Sequence, residues 1–207
     1  MPDRLRSLWD FNDLDASEQR FRKQAEDESS GEGKAEVLTQ LARVQGLRGD
    51  FDTCEELLKE AEKLAGESAI ARVRIDLERG RKLRSSGDGA ASVALFESAF
   101  ARASEHGLHH LAGDAAHMVA IAVPEKAIEW TERGLALAEA EPDAAYWAGP
   151  LLNNIGWHHY EAGDYEAALA VFERALEARE RDPTNVEAIG FAREAVETAL
   201  KALGRES

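Results

Sequence analysis

The sequence is short of several things at once. It has a single cysteine, Cys54, in 207 residues, so no internal disulfide framework is possible. Its five prolines and scarce β-branched runs leave little to interrupt helices. No apolar run approaches the about 18 residues of a membrane span. The opening MPDRLRSLWDFNDLD holds no apolar stretch of signal-peptide length. Basic charge is also short. Against 40 acidic residues stand 25 basic ones, for a formal net charge of −15. Such a surface repels phosphate backbones and anionic bilayers, which excludes nucleic acid and membranes as partners. A cytoplasmic protein is expected. The signatures G-x-S-x-G, H-E-x-x-H and G-x4-G-K-[ST] are all missing, so no common hydrolase, metalloprotease or nucleotide-binding chemistry is indicated.

What is present is helical patterning. Apolar residues make up 44% and charged residues 31%, the balance of a soluble helical protein. Residues 151–183 organise the chain. Leu152, Ile155, Gly156 and His159 fall at helical spacing, a Gly163-Asp164 turn follows, and Ala168, Leu169, Phe172, Ala175 and Leu176 form one stripe of a second helix. The same cadence recurs upstream at Gly49-Asp50-Phe51 and Gly87-Asp88-Gly89, and Ala122-Val123-Pro124 takes the equivalent place between them and Gly163-Asp164-Tyr165. In each Gly-Asp turn the glycine supplies the positive φ that ends one helix and the aspartate caps the next. Pro124 suits a first helical position. The turns return at intervals of about 35–41 residues, close to a helical-repeat period of about 34.

Each turn is flanked alike. Leu38, Leu41 and Ala42 precede the first turn, with Cys54, Leu58 and Ala61 after it. Gly80 and Leu83 precede the second, with Ser92, Phe96 and Ala99 after it. Leu111, Ala115 and Met118 precede the third, with Ala127, Ile128, Gly134 and Leu135 after it. Small residues stand where helices cross closely and large ones fill between them. Phe21 and Ala25 mark a helix before the first turn, and residues 26–34, EDESSGEGK, read as a mobile loop. Residues 139–150 are the longest irregular link, where Tyr146 and Trp147 pack. A last helix after Pro183 carries Val186, Ile189, Val196, Leu200 and Leu203.

Residues 151–183 resemble the tetratricopeptide repeat, whose pattern is W-x2-L-G-x2-Y, then A-x3-F, then P. Leu152, Ile155, Gly156 and His159 stand in the first four places, and Ala168 and Phe172 match outright. Glu180 holds the place of the closing proline and Pro183 follows, so the second helix is expected to run about one turn long. The resemblance implies an all-α, right-handed solenoid of helix-turn-helix repeats. Residues 1–34 would be an N-terminal cap segment and helix, residues 35–183 four degenerate repeats, and residues 184–207 a C-terminal capping helix. It implies a protein- or peptide-binding scaffold or adaptor with no catalysis, cofactor or metal of its own.

In this family the first helices of successive repeats line a concave face. Transferred by position, that face would carry Gln40, Arg43, Glu78, Arg81, Arg84, Asn153, Asn154, Trp157 and Tyr160, with Ala116 at the ninth position of the third repeat. Arginines grip carboxylates with a forked pair of donors, asparagine bonds peptide backbone, and tryptophan anchors apolar groups. The partner implied is a protein or peptide with an acidic group or a C-terminal carboxylate. Asn154 and the two ninth-position arginines resemble the carboxylate clamp of co-chaperones carrying this repeat. The clamp's fifth-position lysines are replaced by Thr39, Leu77, Ala112 and Asn153. The competing reading of Arg43 and Arg81 is pairing with neighbouring acids such as Glu78.

Two further function classes follow from the residues. A peptide-gated regulator would use the same groove to change a second contact. A metal-dependent enzyme would use His106, His110, Asp114 and His117, whose spacing allows one helical face to carry all four. Cys54 falls at a small-residue position and reads as a buried hydrophobe rather than a nucleophile.

Overall fold

The computed structural model describes residues 3–205, and among them it holds ten α-helices and no strand. They are α1 Leu14–Asp27, α2 Gly31–Arg48, α3 Phe51–Leu64, α4 Ala69–Ser85, α5 Gly89–Glu105, α6 His109–Ala122, α7 Ala127–Ala140, α8 Ala148–Glu161, α9 Tyr165–Glu180 and α10 Val186–Ala202. The fold is of the all-α helical-repeat class that the cadence predicts.

The Gly-Asp turns work as the sequence requires. Gly49, Gly87 and Gly163 adopt φ of 79°, 97° and 80°, where a Cβ would be strained. The aspartates that follow each accept a hydrogen bond from the backbone three residues on. Asp50 takes Thr53 N–H at 3.0 Å, Asp88 takes Ala91 N–H at 3.0 Å and Asp164 takes Ala167 N–H at 3.1 Å. One orphan donor of each second helix is thereby satisfied.

The chain divides into two compact units, Met1–Met118 and Val119–Ser207, and the boundary falls within α6. In the first unit α1 packs on α2, α2 pairs with α3, and α4 pairs with α5 while also lying beside α2. Its main core gathers Phe21, Val37, Leu41, Val44 and Ile75, with Leu5 from the N-terminal segment. In the second unit α8 pairs with α9, α9 with α10, and α7 packs on α8. Phe172 is the centre of its core, beside Leu169, Ala195 and Ala199.

Helix crossings follow one rule of size. A Cβ built on Gly80 would lie 2.4 Å from Phe96 Cε1, and one on Gly156 would lie 2.3 Å from Phe172 Cε1. The rings therefore occupy the space that a side chain on the facing helix would need. In the first hairpin the equivalent place holds Ala42 against Leu58, with Cys54 beside them. A larger residue on one helix is matched by a smaller one on the other, which keeps the crossing at close packing.

Five local expectations are corrected. Residues 26–34 are mostly helical: α1 runs to Asp27 and α2 starts at Gly31. Ser30 caps α2 by accepting from Gly33 N–H at 3.0 Å, and Gly33 is buried, so the two glycines sit in a helical first turn rather than in a loop. The link at 139–150 contains the 3-10 helix Pro142–Trp147, in which Tyr146 is exposed and meets Trp147 edge-on at 5.2 Å. Helix α9 stops at Glu180, without the extra turn. Asp182 ends the run by accepting from Thr184 N–H at 3.1 Å and Thr184 Oγ1 at 2.6 Å. In α10 the buried stripe is Ile189, Ala192, Ala195 and Ala199, and Val186 is exposed. Ile128, expected beside the core, is also exposed.

Candidate interaction face

The first helices of the hairpins carry a recurring polar stripe. On α2 it runs Glu36, Gln40, Arg43, and on α4 it runs Arg74, Glu78, Arg81. These positions stand at the same distances before Gly49 and Gly87 and are spaced by four and three, so each triplet lies along one helix face.

In the first unit this stripe is largely withdrawn from water. Glu78 is 3% exposed, Arg74 4% and Gln40 3%. Arg81 is fully engaged. It donates from Nη1 to Glu78 Oε1 at 2.5 Å and from Nη2 to both oxygens of Asp114 at 2.5 and 2.6 Å. Burial alone would lower the Arg81 pKa, but the Asp114 and Glu78 charges outweigh it and raise it. Asp114 mirrors this: burial would raise its pKa, and Arg81 together with Arg43 holds it below its ordinary value. Arg43 is placed differently. Its nearest carboxylate contact is Glu78 at 3.6 Å, its Nε is buried with no acceptor among the described residues, and burial and the neighbouring Arg81 lower its pKa. Two aromatic rings from the N-terminal segment complete its surroundings. Its guanidinium lies 5.7 Å from the centroids of both Trp9 and Phe11. Trp9 Nε1 donates to Gln40 Oε1 at 2.9 Å. Arg84 is exposed in the last turn of α4.

In the second unit the stripe on α8 has another character. Trp157 is 36% exposed and meets Phe172 at 5.1 Å and Tyr160 at 5.4 Å, both edge-on. Tyr160 in turn leans on Tyr165 at 5.1 Å. Asn153 and Asn154 are half-buried on the same helix. The arrangement is an aromatic ledge with amides one turn away.

The residues named from the sequence thus fall into two groups. Gln40, Arg43, Glu78, Arg81 and Arg84 lie on α2 and α4 of the first unit, and Asn153, Asn154, Trp157 and Tyr160 on α8 of the second. The register expected for the third repeat is corrected: Ala116 is fully buried, and Asp114 is the α6 residue that faces Arg81. Its turn lacks the Gly-Asp signal, so counting back from Ala122 misplaces the helix face. Three contributors were missed: Asp114 as a partner of Arg81, the charged pair Glu36 and Arg74, and the rings of Trp9 and Phe11. The signal for Glu36 and Arg74 was available, since they continue the stripe one turn toward the N-terminus.

The histidines do not assemble. His106 caps the end of α5, outside α6, so the four residues do not share one helix. Among the described residues no group of three or more His, Cys, Asp and Glu is placed to hold a metal ion. Cys54 is buried and its thiol is pushed up to about 11 by burial and by the nearby Glu78 charge. No helix of the described residues is long and apolar enough to cross a membrane.

This arrangement, paired helices closed by Gly-Asp turns with polar stripes on their first members, defines a helical-hairpin repeat protein. Residues 124–181 match the family model described as Tetratricopeptide repeat, and the match supports a tetratricopeptide-repeat reading of that segment. Such repeats generally mediate protein–protein interaction, and the family is typically a non-catalytic scaffold. The crystal structure of BtubC (BKLC) from P. vanneervenii is similar, with a TM-score of 0.61 and 19% sequence identity over 98% of this chain and 85% of that one. At that identity the likeness shows the fold alone. No curated protein matches the chain.

Proposed function

We propose that the chain is a scaffold or adaptor that binds a protein or peptide along the stripes of its first helices. In the first unit the stripe residues are Gln40, Arg43, Glu78, Arg81 and Arg84. In the second they are Asn153, Asn154, Trp157 and Tyr160. The observation that carries this reading is that the first-unit stripe already holds a stretch of polypeptide by side-chain contacts, Trp9 to Gln40 and the two rings on Arg43. A surface that grips one non-helical segment has the chemistry to grip another. Within the stripe the roles differ. Arg81 has its forked donors on Glu78 and Asp114, so it sets the shape and charge of the face. Arg43 is not closed into such a fork, its Glu78 contact being 3.6 Å, so its guanidinium is the one left for a partner's carboxylate.

The test is capture of partners by the intact chain and by an Asn154→Ala, Trp157→Ala variant, with bound proteins identified by mass spectrometry. A partner held by the intact chain and lost from the folded variant is expected. A partner set that ignores both substitutions, and an Arg43→Ala substitution as well, would remove these stripes from the binding surface.

A further inference from the structure

We propose that the α2–α4 face of the first unit is a docking site for a partner segment bearing a carboxylate, a leucine and an indole at the spacing of Asp3, Leu5 and Trp9, and that residues 3–11 of this chain occupy it in cis. The proposal rests on the reading of these stripes as binding surfaces. To that reading it adds the partner's chemistry and a gate.

Residues 3–11 have no regular structure beyond the 3-10 turn Arg6–Leu8, so side chains do the holding. Asp3 meets Arg74 Nη2 at 2.6 Å. Arg4 donates to Glu28 at 2.6 Å, to Glu36 at 3.4 Å and to the Gly33 carbonyl at 3.2 Å. Leu5 is 1% exposed and enters the core. Trp9 bonds Gln40, and Trp9 and Phe11 lie against Arg43. The residues met on α2, Gly33, Glu36, Gln40 and Arg43, are one helix face, and Arg74 continues it on α4. The segment is thus laid across the family's first-helix stripe and not only over the end of the array.

The face is built to need such an occupant. Without Asp3, the carboxylate left to Arg74 among the described residues would be Glu36, 3.7 Å from its Nε. A buried cation short of a counter-charge is costly, so a carboxylate is favoured at that point. Gln40 would lose its indole donor, and Arg43, already lacking an acceptor for Nε, would lose both rings. The aromatic end of the segment is its weak end. Phe11 is 47% exposed and rests mainly on Trp9, stacked at 4.6 Å. A competing segment with the same three groups meets Arg74, the Leu5 site and Gln40 with Arg43 as the resident does, and it does so by displacing the resident.

The test uses the full chain and a fluorescent peptide of residues 3–13, DRLRSLWDFND. Intact protein should bind it weakly, because the cis segment competes. A Trp9→Ser, Phe11→Ser variant should bind it about tenfold more tightly, the size of a lost hydrogen bond plus a cation–π contact. Adding Arg43→Ala to that variant should return binding to the intact level. A variant with unchanged helical circular dichroism that binds no better than the intact chain overturns the proposal, as does tight binding that survives Arg43→Ala. If the double variant loses helix, Asp3→Asn is read in the same assay: tighter binding supports the gate and unchanged binding overturns it. Dimerisation of the intact chain that Trp9→Ser abolishes would assign the face to a second copy and overturn the partner protein. A captured partner without any peptide binding defeats this proposal alone. Peptide binding with no partner sensitive to Asn154 and Trp157 defeats the second-unit stripe alone.

Discussion

Arg81 and Asp114 show how one side chain can carry a structural role at a position the repeat pattern marks for binding. The guanidinium bridges Glu78 on its own helix and Asp114 on α6, with three contacts of 2.5–2.6 Å. Removing one partner of a pair this buried leaves a charge uncompensated, so Asp114→Asn should destabilise the protein by about 3 kcal/mol at neutral pH in a denaturant titration. The pH dependence follows from the sign of the shifts. Asp114 and Asp3 both titrate below their ordinary value of 3.8. In each, burial opposes the shift and a guanidinium outweighs it, chiefly Arg81 for Asp114 and Arg74 for Asp3. A carboxylate depressed in the folded state contributes stability above its unfolded pKa and loses it as pH falls through the folded one. Stability should therefore decline as the pH drops below about 4, and Asp114→Asn should flatten part of that decline. An acid limb of the same slope in the variant would mean other carboxylates control it. The sequence could offer Arg81 as a candidate, because position within a repeat is legible. It could not show that Asp114 completes the fork, because that partner lies on another helix whose register lacks a turn signal.

At the scale of the element, the hairpins were legible wherever two local signals agreed. Gly-Asp turns mark three of them, and the small residue before each turn and the large one after it set the crossing. Those features act within about one helical turn, which is why they survive in a single sequence. The misreadings fall where a tertiary contact overrides a local preference. Gly31 and Gly33 look like loop residues but begin α2, because Ser30 caps that helix and Arg4 takes the Gly33 carbonyl. The size rule at the crossings gives a test. Phe172→Ala should cost about 3–5 kcal/mol by emptying a fully buried ring site. Gly156→Ala should cost about 1–3 kcal/mol, because the new Cβ would press on that ring. The double change Gly156→Ala, Phe172→Leu installs the pair that Ala42 and Leu58 form in the first hairpin. It should lose less than the sum of Gly156→Ala and Phe172→Leu by about 1 kcal/mol or more, measured as a double-mutant cycle in denaturant. Strict additivity would show that the two crossings are not built alike.

The whole molecule carries a formal charge of −15, and its stability should reflect two electrostatic terms with opposite responses to salt. Surface ion pairs such as Lys23–Asp27 and Arg133–Glu129 gain little and weaken as salt rises. Self-repulsion of the excess acid destabilises the compact state, and salt relieves it. The buried fork at Arg81 responds to neither, because its charges touch at hydrogen-bond distance, far inside a Debye length of about 10 Å at 0.1 M. The exposed pairs join charges already adjacent in space, whereas the repulsion sums over the entire surface at separations that dilute buffer leaves unscreened, with a Debye length of about 30 Å at 0.01 M. Repulsion should therefore win. Raising salt from about 0.01 to 0.15 M should stabilise the chain by about 1 kcal/mol, which lifts the midpoint of thermal unfolding by about 2–4 °C. Neutralising exposed acids, as in Glu56→Gln with Glu132→Gln, should raise the low-salt midpoint and shrink the salt response. The same scans on intact protein decide between the terms: a midpoint that falls with salt would show that the exposed ion pairs, and not the net charge, set the balance.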